Sequence, residues 1–450
     1  MAAPVATKWA TKQEIAGNIV EGWPPSFGQV LGPKSVTLLG SKPKAHASAR
    51  SIFLEGISAS AVLQMQPVVL DCCRKRVPHW EKCAESGEVL CFLKDLHALT
   101  LEVVARCFLG EYATRNVLDD LGRLVPVLGD GILSVPVRFP WPLNRFPAFS
   151  FGAAMHARSK LLKVLNGVLR ARRADLEDAG DRSVPSAGVL DSLLAMQTQQ
   201  TRDGGPEKGQ VAFDDEFIVD NVIMALFAGY DTTSVTLARM LQLLASAEGK
   251  GLVDRLLAEL KTNYIVDEEG KLNDDVGKTI GKGASGIFEA FPLLESIVLE
   301  NSRMYPVVPG AFRTALKDIS YNGYSIPAGT TISWNVVNGY RAESLYPEPE
   351  KFCPFRFLKA AASGNGATAA DSSGSAAASK VSQPRPPMWG FGRHMCPGRE
   401  LAKLEIVVFL TTFLSKFDYD LVEGQSFKNT LPVNAPEDKL RLVLKIRGAT

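Results

Sequence analysis

Trp389–Glu405 reads WGFGRHMCPGRELAKLE, a glycine-rich loop that carries one cysteine, Cys396, to the start of a strongly helical segment. Gly390 and Gly392 permit tight backbone geometry and close approach to a flat ligand, and Pro397 suits the first position of the following helix. Cys396 is therefore expected at a helix N-terminus. There the macrodipole and the unpaired amide N–H groups favour the thiolate, the form that ligates metal. An isolated cysteine, by contrast, is more often a buried, inert thiol.

Upstream, Phe213–Ala247 has the apolar spacing of one long helix, with Ala228-Gly229-Tyr230-Asp231-Thr232-Thr233 at its middle. A glycine inside a helix costs about 1 kcal/mol relative to alanine, so Gly229 suggests a local opening with a purpose. Asp231 and Thr232 offer a carboxylate and a hydroxyl that can relay protons. The plainer alternative is a threonine bonded back to its own helix and an aspartate on the surface. Glu300 and Arg303 stand three apart on the helix Ala290–Met304 and so share a face, although exposed pairs of that spacing are weak.

The rest of the chain sets the frame. Across 450 residues, 46% hydrophobic and 22% charged content is that of an ordinary globular protein. Fifty basic against 48 acidic residues leave a net charge of +2, and the longest basic run, Arg74–Arg76, is short, so nucleic acid is not an expected partner. The seven cysteines (72, 73, 83, 91, 107, 353 and 396) show no CxxC spacing, which fits a reducing compartment. The N-terminal MAAPVATKWATKQEIAGN has neither a leader's apolar region nor the roughly 20 apolar residues of a membrane span.

Helical periodicity also marks Leu93–Phe108, Met155–Leu176 and Gly251–Lys261. Strand-like segments lie at Asp318–Ser333, with its Asn-Gly turn, and at Asp438–Ile446. The fold class expected is mainly α with a small β-sheet part, in a single domain over residues 1–450. Residues 359–380 are Ala/Ser/Gly-rich and read as a flexible surface insertion, and Thr198–Gly209 as an exposed loop.

The cysteine segment resembles the signature of the cytochrome P450 family, Phe-x-x-Gly-x-Arg/His-x-Cys-x-Gly, matched by Gly392, His394, Cys396 and Gly398, with Trp389 where phenylalanine is usual. Ala228–Thr233 satisfies the family's oxygen-activating motif, and Glu300 with Arg303 its E-x-x-R, which an arginine from Pro354-Phe355-Arg356-Phe357 completes. The resemblance implies haem b, its iron held by Cys396, lying between the long helix (Ala228, Gly229) and the loop (Trp389, Gly390, Gly392, Gly398). It implies that His46, Arg50, Arg313 and His394 meet the haem propionates. Asp231 and Thr232 become the catalytic pair, and Glu300, Arg303 and Arg356 a buried structural cluster.

The activity implied is insertion of one oxygen atom from dioxygen into an apolar substrate, of terpenoid, sterol, retinoid or fatty-acyl type. Met224, Phe227, Val308, Ala311 and Val433 are the expected substrate contacts. Electrons would come from an external NADPH-dependent supply through a reductase or ferredoxin, because no flavin or nicotinamide fingerprint is present. The expected location is the cytoplasmic side, soluble or in peripheral contact with the endoplasmic reticulum membrane. Two rivals stay open: a haem-thiolate isomerase or lyase that uses no dioxygen, and a haem-binding protein without turnover. Only 45 residues precede His46, too few for the helix and strands that family members place there. The start is therefore expected to be truncated, leaving a sheet edge and an apolar face uncovered, with an anchor upstream.

Overall fold

The computed structural model describes residues 3–132, 150–179, 188–262, 287–358, 383–429 and 433–448. Helices dominate, and the helix Asp215–Leu244 runs through their centre. Asp214 caps it by accepting from the Phe217 N–H at 2.9 Å, and Asp215 and Glu216 in the first turn suit the positive end of its dipole. Its residues from Phe217 to Leu226 are all buried, as expected of a helix enclosed on every side. The helix Phe92–Leu109 packs across it, as do Pro292–Met304 and Arg399–Lys416.

The helix Arg399–Lys416 is likewise buried from Glu400 almost continuously to Leu414. Its Phe409 and Phe413 join Trp80 and Phe92 in an aromatic cluster, with Trp80–Phe413 ring centroids 5.6 Å apart and Phe92–Phe413 at 5.0 Å. That cluster anchors the segment directly behind the cysteine loop, so the loop hangs from a rigid element.

The strands are β1 (Ile19–Glu21), β2 (Val89–Cys91), β3 (Gly310–Ala315), β4 (Ile319–Tyr321), β5 (Tyr324–Ile326), β6 (Thr331–Asn335), β7 (Phe417–Leu421) and β8 (Arg441–Ile446). They form antiparallel sheets in the orders β1-β3-β6 and β2-β8-β7 and the hairpin β4-β5. Asn322 and Gly323, at φ 50° and 82°, make the hairpin turn with the two positive angles that an Asn-Gly pair tolerates.

Four expectations need correction. The helix Val189–Arg202 extends into the segment read as a loop from Thr198. Pro397 does not open the cysteine-loop helix: the cap is Gly398 and the helix starts at Arg399. The first 45 residues do form a helix, Ala3–Ile15, and a strand, β1. β1 pairs with β3 in the register Ile19↔Ala315 to Glu21↔Arg313, so β3 is covered on both sides and is not the exposed edge expected. The long helix runs through Gly229 within one span, Asp215–Leu244. A Cβ there would lie 2.4 Å from Val104 Cγ2, so the glycine makes room for the crossing helix. The insertion at 359–380 lies outside the described residues.

Candidate active site

Cys396 stands in a loop held by its own backbone. Its N–H donates to Trp389 O at 2.7 Å, the Gly390 N–H to Pro387 O at 2.9 Å, and Met395 N–H to Gly392 O at 3.2 Å. Gly390 and Gly392 take φ of 73° and 61°, which L side chains rarely adopt. Trp389 is half-buried against the main core. Burial pushes the Cys396 thiol above its ordinary value, while the Gly398 N–H and the guanidinium groups of Arg50 and Arg399 pull it down. The Gly398 N–H thus acts in the sense expected of a helix N-terminus, and burial acts against it. A metal ion has to displace the proton.

Around the loop gathers a set of basic residues from three parts of the chain. Arg50 and His46 come from the helix Pro43–Gly56, Arg313 from β3, and His394 with Arg393 from the loop. Arg50 donates to Met395 O. The rings of His46 and His394 lie 5.0 Å apart. Burial first, then Arg50 and Arg393, lowers His46 to about 4. Burial, with Arg313 next, lowers His394 to about 3. Arg313 is paired with Glu14 of the first helix and is itself buried. Glu14 also lies 3.4 Å from His394 Nε2, and Glu21 of β1 3.7 Å from His394 Nδ1. Desolvation pushes the Glu21 carboxyl up to about 7, against a hydrogen bond from Trp23. Neither acid carried a sequence signal, since each is some 300 residues from Arg313.

On the long helix, Ala228 is the one exposed residue between Phe217 and Leu244. Thr232 Oγ1 donates to Ala228 O at 2.7 Å, and Asp231 Oδ1 lies 3.1 Å from His97 Nε2. The hydroxyl is bonded back to its own helix, which leaves its lone pairs to accept from a proton-bearing group. The Asp231 partner, His97, was missed by the sequence reading.

Glu300, Arg303 and Arg356 come together. Arg303 Nε and Nη2 donate to the Glu300 carboxylate at 2.7 and 2.9 Å, and Arg356 Nε reaches both of its oxygens at 3.1 Å. Arg303 also donates to the carbonyls of Tyr340 and Pro349, and the Cys353 N–H to Glu300. Glu300 and Arg303 are fully buried, so every lone pair and N–H met here offsets desolvation. Of the expected substrate residues, Met224 and Val433 are buried, Phe227 and Ala311 half-buried and Val308 exposed. The Asn434 N–H donates to Val307 O at 3.2 Å, joining the turn at Val433 to the segment before β3.

A cytochrome P450 family model matches residues 10–444. The chain belongs to the cytochrome P450 family. As such it is an oxidoreductase of the monooxygenase class, and the family's cofactor is a haem iron. Among similar proteins, a taxoid 14-beta-hydroxylase of Taxus cuspidata is 26% identical over 398 residues, 88% of this chain and 67% of that one. A beta-amyrin 28-monooxygenase of Saponaria officinalis is 25% identical over 439 residues, 95% of this P450 and 77% of its relative. A solved structure of retinoic acid-bound cyanobacterial CYP120A1 shares the fold at a TM-score of 0.76 and 22% identity, over 98% of this P450 and 87% of that chain.

The residues present fit a haem. A half-exposed cysteine in a loop shaped by two left-handed glycines, an exposed alanine in an otherwise enclosed helix, and His394 Nε2 without a hydrogen bond among the described residues all suit a flat, anionic, metal-bearing group. Among the described residues, no single helix is long and apolar enough to cross a membrane.

Proposed function

We propose that this P450 hydroxylates an apolar terpenoid-type substrate, with haem b held by Cys396 and electrons delivered by an NADPH-dependent reductase or a ferredoxin. The observation that carries the reading is the gap at Ala228 within the enclosed long helix, bordered by Met224 and Phe227 on one side and by Asp231 and Thr232 on the other. An apolar surface beside a carboxylate and a hydroxyl suits a substrate with few polar groups and a reaction that consumes protons. The taxoid and beta-amyrin enzymes among the relatives support the substrate class.

When bound, a thiolate-ligated haem supplies the oxidising power to place one atom of dioxygen into a C–H bond. The second atom leaves as water, after two electrons and two protons are taken up. Cys396 would hold the iron, and Arg50, Arg313, His46 and His394 would meet the propionates. Thr232 would accept a hydrogen bond through its free lone pairs, and Asp231, once it has taken a proton from water, would pass that proton toward the reacting site. Met224, Phe227, Ala311 and Val433 would turn the substrate toward the iron, Val308 would guard the rim, and peripheral contact with a membrane would bring apolar substrates to it.

The test is the spectrum of the reduced protein with carbon monoxide, followed by turnover of triterpenoid and taxane substrates with reductase and NADPH. A thiolate-type spectrum and a hydroxylated product formed with consumption of dioxygen are expected. Conversion of a hydroperoxide without reductant would replace the reading by an isomerase or lyase, and haem binding without any turnover would replace it by a carrier.

A further inference from the structure

The helix Phe92–Leu109 crosses the long helix at the turn that carries Asp231, and three of its residues make the crossing. Val104 fills the space that a Cβ would need at Gly229. Thr100 Oγ1 lies 2.7 Å from Tyr230 O, closer than its 3.0 Å contact with Leu96 O of its own helix. The His97 ring stacks on Tyr230, with centroids 4.5 Å apart and an interplanar angle of 29°, and its Nε2 lies 3.1 Å from Asp231 Oδ1. His97, Thr100 and Val104 fall at i, i+3 and i+7, hence on one helical face. Gly229, Tyr230 and Asp231 are therefore each met by a separate residue of the same neighbour, which fixes the register between the two helices at this turn.

We propose that His97 is the positioning residue for proton delivery at this site. Its imidazole N–H donates to Asp231 and holds the carboxylate in one orientation beside Thr232. The inference rests on the reading of the site given above. A carboxylate that passes protons is effective only when its oxygens are held within hydrogen-bond reach of their target, and an aspartate on a helix otherwise rotates among staggered positions. Stacking on Tyr230 holds the imidazole plane, and Thr100 and Val104 hold the helix that carries it. The side chains of His97 and Asp231 are 22% and 17% exposed, so the pair is shielded enough for its geometry to persist yet still reached by water.

Three variants of the haem-loaded protein test this with its hydroxylated substrate. His97→Phe keeps a ring on Tyr230 but removes the N–H, His97→Gln keeps an N–H donor, and Asp231→Asn removes the acceptor charge. His97→Phe is expected to lower product formed per reductant oxidised roughly 10-fold, part of the roughly 10²–10⁴ that a positioned proton-transfer group supplies, with the lost equivalents appearing as hydrogen peroxide. His97→Gln should restore most of the coupling. In an Asp231→Asn background, His97→Phe should add no further loss, because it acts through that carboxylate.

In the resting protein, nitrogen-15 spectra of labelled histidine should place the His97 proton on Nε2, and Asp231→Asn should remove that preference. If His97→Phe loads haem poorly, His97→Gln against His97→Ala makes the same comparison. Wild-type coupling in His97→Phe, an additive loss in the double variant, or a proton on Nδ1 alone overturns the inference. Absence of a thiolate-type carbon monoxide spectrum in the unmodified protein overturns instead the reading on which it rests.

Discussion

At Cys396 two opposing influences act on one sulfur. Burial raises the cost of the thiolate, while the Gly398 N–H, Arg50 and Arg399 lower it, and burial prevails. Ligation of a metal would add a further influence in favour of the thiolate. Cys396→Ala should abolish turnover and the thiolate-type carbon monoxide spectrum, because each of the other cysteines lies outside the glycine loop. Retention of that spectrum would remove Cys396 from the assignment. Thr232 already donates to Ala228 O, so its remaining role is to accept. Thr232→Ala should leave haem and substrate binding intact but divert reductant to hydrogen peroxide, a loss of roughly 10²-fold in coupled product formation. Equal ratios of product to reductant in variant and wild type would exclude the hydroxyl from proton delivery.

Among the elements, the helix Pro292–Met304 is tied to the segment Tyr340–Phe357 by one carboxylate. Glu300 serves Arg303, Arg356 and the Cys353 N–H together, and Arg303 spends its other N–H groups on carbonyls of the same segment. Removing Glu300 would strand two buried guanidinium groups. Glu300→Ala should lower stability by roughly 3–5 kcal/mol and leave little haem-loaded protein, measured by thermal unfolding and by haem content. A variant with wild-type Tm would show that the cluster contributes nothing net. The crossing of Phe92–Leu109 over the long helix depends in a similar way on a missing atom, the Cβ of Gly229, and on donors from His97 and Thr100.

For the molecule as a whole, the N-terminal segment closes over the basic cluster, β1 against β3 and Glu14 against Arg313. Two groups there titrate in opposite senses. His46 is lowered from 6.5 to about 4 by burial, so the stability it contributes is complete above pH 6.5 and is lost as pH falls toward 4. Glu21 is raised from 4.5 to about 7, so its contribution is complete below pH 4.5 and is lost as pH rises through 7. Urea unfolding against pH should show His46→Gln flattening the acid limb and Glu21→Gln the limb between 4.5 and 7. Superimposable curves for variants and wild type would mean that neither group is desolvated as described.

The sequence by itself determined what depends on neighbours along the chain. The periodicity of Phe213–Ala247, the Asn-Gly turn at 322–323 and the glycines at 390 and 392 are local constraints on dihedral angles and on one helical face, and they stand where they were read. Only the tertiary structure decided which distant side chains met. His97 reaches Asp231 across 134 residues, Glu14 reaches Arg313 across 299, and Val104 claims the space at Gly229. Such pairings follow from how helices cross and what the crossing buries, a matter of packing in three dimensions that no spacing along the chain encodes.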